Sequence, residues 1–394
     1  MRALSWHGIR DVRVDTVPDP KIEEPTDAVI RVTSSGICGS DLHLYEVLGA
    51  FLEPGDILGH EPMGTVEEVG AEVTNLRPGD RVVVPFNVSC GHCYMCRTGL
   101  MSQCETTQMR EYGTGASLLG YTKLYGHLAG GQAEFLRVPQ AHFGPIKVPD
   151  GPPDDRFLFL SDVLPTAWQA VEYAAIPPGG SVAILGLGPI GEMCCRIAQH
   201  RGASQVIGID LVPERLERAQ SHGVMTIDLE EDADGIPDLV RELTGGRGPD
   251  SVIDAVGMEA HGATGGKIAQ RLAGLLPDAA AQKLMMTAGI DRLSAIHLAI
   301  ELVRRGGTVS LSGVYGGAAD PMPMMQMFDK QIALRMGQAN VRRWVDELMP
   351  LLSEDDPLGV DSFASHHVPL EDAPHAYEIF QKKEDGAFKV VLNP

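Results

Sequence analysis

Cys90, Cys93, Cys96 and Cys104 form C-x2-C-x2-C-x7-C, which places four of the chain's seven cysteines within fifteen positions. Four thiolates complete a tetrahedral Zn²⁺ and leave no open position, so this spacing reads as a structural metal site. Iron–sulfur and redox roles are the alternatives for four cysteines. A small loop-rich segment is better stapled by one closed zinc. A second constellation comes earlier, in Cys38-Gly39-Ser40-Asp41-Leu42-His43 and in Gly59-His60-Glu61. A lone Cys or His is more often core or surface than ligand, and these gain weight only beside a nucleotide motif. Gly186-Leu187-Gly188-Pro189-Ile190-Gly191 is such a motif, a G-x-G-x-x-G that follows an apolar strand and opens a helix. Gly186 makes the tight turn, Gly188 lets backbone approach a pyrophosphate, and Gly191 allows close helix–strand packing. Asp210, nineteen residues beyond the last glycine, is placed to accept from ribose hydroxyls and to repel a 2′-phosphate, favouring NAD over NADP. Arg215, five residues beyond Asp210, is a candidate to rescue NADP binding but is expected on the exposed face of the next helix, and Cys194 and Cys195 are expected as small buried hydrophobes.

These residues need elements to hold them. Residues 1 to about 150 contain short alternating segments broken by Gly and Pro, among them 28–32, 64–70 and 81–84, which predicts a β-rich domain. From about 180 the pattern changes to strand 181–185, helix 189–201, strand 205–209, helix 213–222 and strand 250–255. A helix over 293–304 and a strand over 308–312 follow. That alternation predicts βαβ units and a parallel sheet. After about 340 come one helix and two strand-like pieces, 366–368 and 388–392, expected to return to the first domain. Met322–Met327 reads as apolar filler of a core or an interface.

The 394 residues favour two domains. Acids outnumber Lys and Arg by 53 to 32, and the resulting net charge of −21 disfavours nucleic acid and anionic lipid as partners. No apolar run approaches the ~18 residues of a membrane span, and the opening MRALSWHGIRDVRV carries no secretory apolar region. The expectation is a cytoplasmic chain with reduced thiols.

The CGSDLH segment, the GHE, the four-cysteine lobe and the later fingerprint together resemble the zinc-dependent medium-chain alcohol dehydrogenases, in order and spacing over essentially the whole chain. The resemblance implies an α/β chain: a β-rich GroES-like catalytic domain over 1–160, a doubly wound Rossmann domain over 161–338, and a return over 339–394. It implies two zinc ions per chain and NAD, with Cys38 and His60 on the catalytic zinc. The family's third ligand is often Cys, but no Cys lies between Cys104 and Cys194. Asp162 stands in that segment, as in the branch holding glutathione-independent formaldehyde dehydrogenase and formaldehyde dismutase. Its other reading is a helix N-cap. The resemblance makes Glu61 a carboxylate behind the metal, or a ligand when water leaves. It makes Ser40 and His43 a proton relay through the nicotinamide ribose, and Phe86 a pocket wall whose alternative is plain core. Thr106–Leu128 is expected to line or cover the cleft. Met258–Ala288 corresponds to an insertion that shields NAD in that branch, or is a surface excursion or subunit contact.

The implied activity is hydride transfer between NAD and a primary alcohol or aldehyde, with formaldehyde hydrate as the substrate the branch suggests. The alternatives are a dismutase that retains NAD and a non-catalytic dinucleotide-binding protein. A dimer or tetramer is the family's expectation.

Overall fold

The structure is a computed structural model that describes residues 1–231, 234–257, 293–315, 322–353 and 355–394. The expectation for Met258–Ala288 falls outside the described residues. Two compact units result: Met1–Pro165 with Ala339–Pro394, and Thr166–Gln338.

The first unit carries two sheets. β1 (Arg2–Gly8) lies between β2 (Asp11–Thr16) and β4 (Asp56–Ile57). The larger sheet is built on β3 (Ala28–Ile37) and β5 (Glu61–Val69), antiparallel with Gly36 opposite Glu61. It continues through β6 (Arg81–Val83) to β8 (Ile146–Lys147), while β7 (Phe135–Val138) also pairs with β3. Apolar residues drive the pairing: Ala28, Ile30, Val32, Val66, Val82 and Leu136 are buried in one cluster. The late segment completes the sheet. β16 (Val390–Asn393) runs antiparallel to β3 with Val390 opposite Ile37, and β15 (His366–Pro369) runs parallel to β16. That register sets residue 389 beside the end of β3, next to Cys38.

Where one late helix is expected, there are two, Val341–Ser353 and Ala373–Lys382. Pro374 does not break the second, because it occupies the first turn, where its missing N–H costs nothing. Tyr377 and Phe380 bury that helix against Leu4, Leu44 and Leu392.

The second unit is a six-stranded parallel sheet. Its strands are β9 (Ser181–Leu185), β10 (Gln205–Asp210), β11 (Met225–Asp228), β12 (Ser251–Asp254), β13 (Thr308–Leu311) and β14 (Ala333–Met336). They lie in the order β11-β10-β9-β12-β13-β14, so the chain reverses direction of travel across the sheet at β9. The continuous apolar runs follow from burial on both faces, with Ala183, Ile207, Val252 and Val309 inside. The two edge strands are the exceptions, with Met225 of β11 42% exposed and Met336 of β14 59% exposed. The methionine-rich stretch divides. Met322 and Met327 pack against the core. Met324 and Met325 are exposed, because they fall on the outer side of the helix Met324–Lys330. Among the described residues no helix is long and apolar enough to cross a membrane.

Candidate active site

Cys38 ends the loop after β3 and caps the helix Gly39–Glu46. Its backbone N–H donates to Asp41 Oδ2 at 3.0 Å, which fixes the thiol at the helix start. His60 immediately precedes β5, and Glu61 is the first residue of that strand. A short 3-10 turn, Phe159–Ser161, delivers Asp162 to the same point, helped by a bond from the Phe86 N–H to the Ser161 carbonyl at 3.2 Å.

The four side chains converge. One ligand atom from each of Cys38, His60, Glu61 and Asp162 lies within 4.8 Å of the others. Asp162 Oδ2 is 3.5 Å from Cys38 Sγ and 3.3 Å from His60 Nε2. The helix-cap reading of Asp162 therefore has a rival in geometry, since its carboxylate faces a thiol and an imidazole. Burial, reinforced by Asp162 and Glu61, pushes the Cys38 thiol up to about 11. Three potential anions around one imidazole call for a cation. The sulfur, nitrogen and oxygen donors are those that Zn²⁺ accepts. Glu61 Oε2 is buried with no hydrogen-bond partner among the described residues, as a group reserved for a metal should be.

Support for this set comes from residues the sequence reading did not assign. Asp41, fully buried, lies 3.0 Å from His60 Nδ1 in a charge contact off the hydrogen-bond line. It orients the ring so that Nε2 faces Cys38 and Asp162, as carboxylates behind metal-bound histidines do. Gln132 donates to Asp41 Oδ2 at 3.2 Å, and the Tyr377 hydroxyl donates to Gln132 Oε1 at 2.8 Å. On the other side Lys389 Nζ donates to Glu61 Oε1 at 2.6 Å and to the Ile37 carbonyl at 3.0 Å, both side chains being wholly buried. Burial disfavours the ammonium, yet Glu61 outweighs it and the Lys389 pKa is raised.

The expected relay residues lie close by. Ser40 Oγ is 3.2 Å from His60 Nε2. His43 follows three residues later on the same short helix, a spacing that puts both on one side. Phe86 meets the His60 ring edge-on at 6.2 Å between centroids, and Tyr121, from the segment expected to line the cleft, does so at 6.4 Å.

The second cluster is the cysteine lobe. Sulfur atoms of Cys90, Cys93, Cys96 and Cys104 all lie within 4.8 Å of one another. Backbone N–H groups of Cys90, Cys93 and Cys96 donate to the sulfurs of Cys104, Cys90 and Cys93, each at 3.4 Å. A hydrogen bond from Cys96 holds the Cys104 thiol well below its ordinary range. Four sulfurs with inward N–H donors fit a closed zinc site.

In the second unit Gly186 directly follows β9, Gly188 caps the helix Pro189–His200, and Pro189 takes its first position. A Cβ on Gly191 would stand 1.7 Å from the Gly186 carbonyl oxygen, so only glycine lets the helix close on the strand. Ile190 follows Pro189 in the first turn of that helix, and Cys194 and Cys195 are fully buried further along it. This cradle fits a dinucleotide pyrophosphate at a helix N-terminus. Asp210 serves the cradle itself: it accepts from Leu187 N at 2.6 Å, Leu211 N at 2.7 Å and Val212 N at 3.0 Å. Three of its roughly four acceptor positions are thereby used. Arg215 departs from expectation. Its guanidinium is not on the outer face but lies 3.8 Å from Asp210 and against Gly188, drawn inward by the carboxylate.

Two family descriptions match this chain: alcohol dehydrogenase GroES-like domain over residues 24–150, and zinc-binding dehydrogenase over 189–274. The zinc-type alcohol dehydrogenase-like protein AdhB of Bacillus subtilis is 39% identical over 398 residues, covering 100% of both chains. The chain belongs to the zinc-type alcohol dehydrogenase family. Formaldehyde dismutase of Pseudomonas putida is 32% identical over 428 residues, covering 100% of this chain and 97% of that one. Alcohol dehydrogenase TADH from Thermus sp. ATN1 superposes with a TM-score of 0.83 at 37% identity, covering 100% of this chain and 99% of that one.

As a member of the zinc-type alcohol dehydrogenase family, the chain is an oxidoreductase acting on small molecules, and its two donor clusters fit a structural and a catalytic zinc. Asp41 sits inside the CGSDLH motif of this family member, yet the motif assigned it no role of its own, and its burial behind His60 is known only from the structure. Gln132, Tyr377 and Lys389 had no local signal, since their partners named above are 91 to 352 positions away.

Proposed function

We propose that this chain is a zinc- and NAD-dependent dehydrogenase that transfers a hydride between NAD and a primary alcohol or aldehyde, the hydrate of formaldehyde included. The observation that carries this reading is the convergence of Cys38, His60 and Asp162 on one point, with Glu61 as a fourth, displaceable donor. When bound, the metal acidifies a substrate hydroxyl and the nicotinamide exchanges the hydride. Cys38 and Asp162 contribute two negative charges and His60 a neutral nitrogen, leaving a fourth position open, the arrangement of a catalytic rather than a structural site. Ser40, 3.2 Å from His60 Nε2, is placed to take the substrate proton, and His43 to pass it to water. Phe86 and Tyr121 wall the site beside His60 and exclude bulk solvent. Asp210 supports NAD over NADP, because its carboxylate opposes a 2′-phosphate.

The likeness to formaldehyde dismutase supports a second reading, in which NAD stays bound and two aldehydes give an acid and an alcohol. One experiment separates them. The freshly purified protein is denatured and the released nucleotide counted, then turnover of formaldehyde and short alcohols is followed with and without added NAD. About one nucleotide per chain, with turnover independent of added NAD, is the dismutase result. An empty chain that reduces added NAD is the dehydrogenase result. No turnover of any alcohol or aldehyde in either format, from protein holding its zinc, refutes both. Exposed Met324, Met325 and Phe328 beside edge strand β14 support a homo-oligomer, a dimer or tetramer. Seven unpaired cysteines support a cytoplasmic location.

A further inference from the structure

The second unit holds a buried acid that the chemistry above does not use. Asp254 is the last residue of β12 and is fully buried. Its Oδ1 accepts from Val256 N at 2.9 Å and Gly257 N at 3.2 Å. Its Oδ2 accepts from the Tyr315 hydroxyl at 2.5 Å, across a gap of 61 positions. Its own carbonyl accepts from Ser312 N at 2.9 Å and Gly313 N at 2.8 Å. A single residue thus ties the turn after β12 to the turn after β13.

The two turns are pressed together. A Cβ on Gly313 would stand 2.2 Å from Gly257 N, and one on Gly257 would stand 2.5 Å from Val314 N. The contact extends to the nucleotide cradle, because a Cβ on Gly186 would meet the Val256 side chain at 2.7 Å. Nothing but hydrogen in those three places lets the turns after β9, β12 and β13 meet.

Their position gives the arrangement a use. Strand order reverses at β9, and a dinucleotide crosses a doubly wound sheet at that switch point, outside the carboxyl ends of the strands. Gly188, Asp210 and β9-β10-β11 form the half that takes the adenosine. The turns after β12 and β13 form the rim of the other half, where the nicotinamide must lie. Val314, at the tip of that rim, is 56% exposed, while Tyr315 beside it is turned inward to Asp254.

We propose that the Asp254–Tyr315 hydrogen bond is a latch that positions the nicotinamide half of the dinucleotide site, holding residues 313–315 against residues 255–257. Asp254 and Tyr315 are positioning residues, and the inference rests on the NAD-dependent reading above. The latch's bonds join the turns after β12 and β13, on the other side of β9 from the strands β10 and β11 of the adenosine half.

The test compares two probes, NADH and ADP-ribose, which lacks the nicotinamide, on purified enzyme carrying its metal. Tyr315→Phe removes the hydroxyl and keeps the ring. NADH binding, read by fluorescence, weakens about tenfold or more, the ordinary consequence of losing a hydrogen bond to a buried carboxylate. ADP-ribose binding, read by calorimetry, stays within about twofold with zinc content unchanged, while the melting temperature falls by a few degrees because the buried Asp254 carboxylate loses one donor. Asp254→Asn should act in the same direction, and if it fails to fold, Tyr315→Phe alone decides. Equal weakening of both probes assigns the pair to general stability and overturns the latch. Unchanged binding of both probes overturns it as well. A wild-type chain that binds neither probe overturns the NAD-dependent reading and the latch together.

Discussion

Replacing Lys389 by Met isolates the electrostatics behind the metal site. Both members of the Lys389–Glu61 pair are wholly buried, 2.6 Å apart, with no water-accessible side-chain surface. Methionine keeps the length and apolar stem of lysine and removes only the ammonium, so Glu61 is left as a buried carboxylate without a counter-charge. Breaking such a pair from one side costs about 3–5 kcal/mol. In a unit of this size each kcal/mol moves the midpoint by about 2–4 °C, so the expected drop is about 6–20 °C. Two controls sharpen the reasoning. Glu61→Gln with Lys389→Met removes both charges and should recover most of the loss. Saturating zinc should also recover part of it, because Glu61 offers a carboxylate oxygen to the donor cluster and the cation can replace the lysine. The assay is thermal unfolding followed by circular dichroism, with and without a chelator. A Lys389→Met protein melting within about 1 °C of wild type refutes the reasoning. So does a double variant no better than the single one.

Three further outcomes follow from the same geometry. Cys104→Ser should release one zinc per chain and lower the melting temperature while the zinc at Cys38, His60 and Asp162 remains, as measured by metal analysis of the dialysed protein. Asp210→Ser should raise the NADP to NAD ratio of kcat/KM by about tenfold or more, since it removes the opposing carboxylate and leaves Arg215 beside the cradle; an unchanged ratio contradicts the cofactor assignment. Burial raises the Asp250 pKa, but the Ser181 N–H and Arg304 more than offset this and the net shift is downward. Such an acid stabilises the fold above its unfolded value of about 3.9, and that contribution is lost as pH falls through the lower, folded value. Asp250→Asn should therefore be less stable than wild type at pH 7, and the difference should vanish in strong acid, as read from denaturant midpoints across pH.

Local motifs were legible because their chemistry is compressed into a few positions. Cys38, Ser40, His60 and Glu61 gained weight only beside the nucleotide motif and took their roles from the family resemblance, whereas the four clustered cysteines announce themselves by spacing; the structure brings both groups together. Gly186 to Gly191 was legible for the same reason, flanked by a strand and a helix that both form. Asp162 was reachable only through the family resemblance, since 124 positions separate it from Cys38. Lys389 and Tyr377 were invisible, because a lysine or a tyrosine near a chain's end carries no mark of the sheet register that buries it. Arg215 was misplaced for a physical reason: helical periodicity puts it outside, while the nearby Asp210 carboxylate and the open surface over Gly188 pull it in. The second late helix was hidden by Pro374, which looks like a break and is in fact a start.

The measurement that bears most directly on the account is zinc content together with NADH formation for wild type and Asp162→Ala. Wild type should hold two zinc ions per chain, one for each donor cluster, and turn over a small alcohol or formaldehyde. Asp162→Ala should keep the zinc of the cysteine lobe, lose most of the other, and lose turnover. An Asp162→Ala protein that retained both zinc ions and full turnover would contradict the assignment of Asp162 as a ligand, and with it the catalytic centre described above.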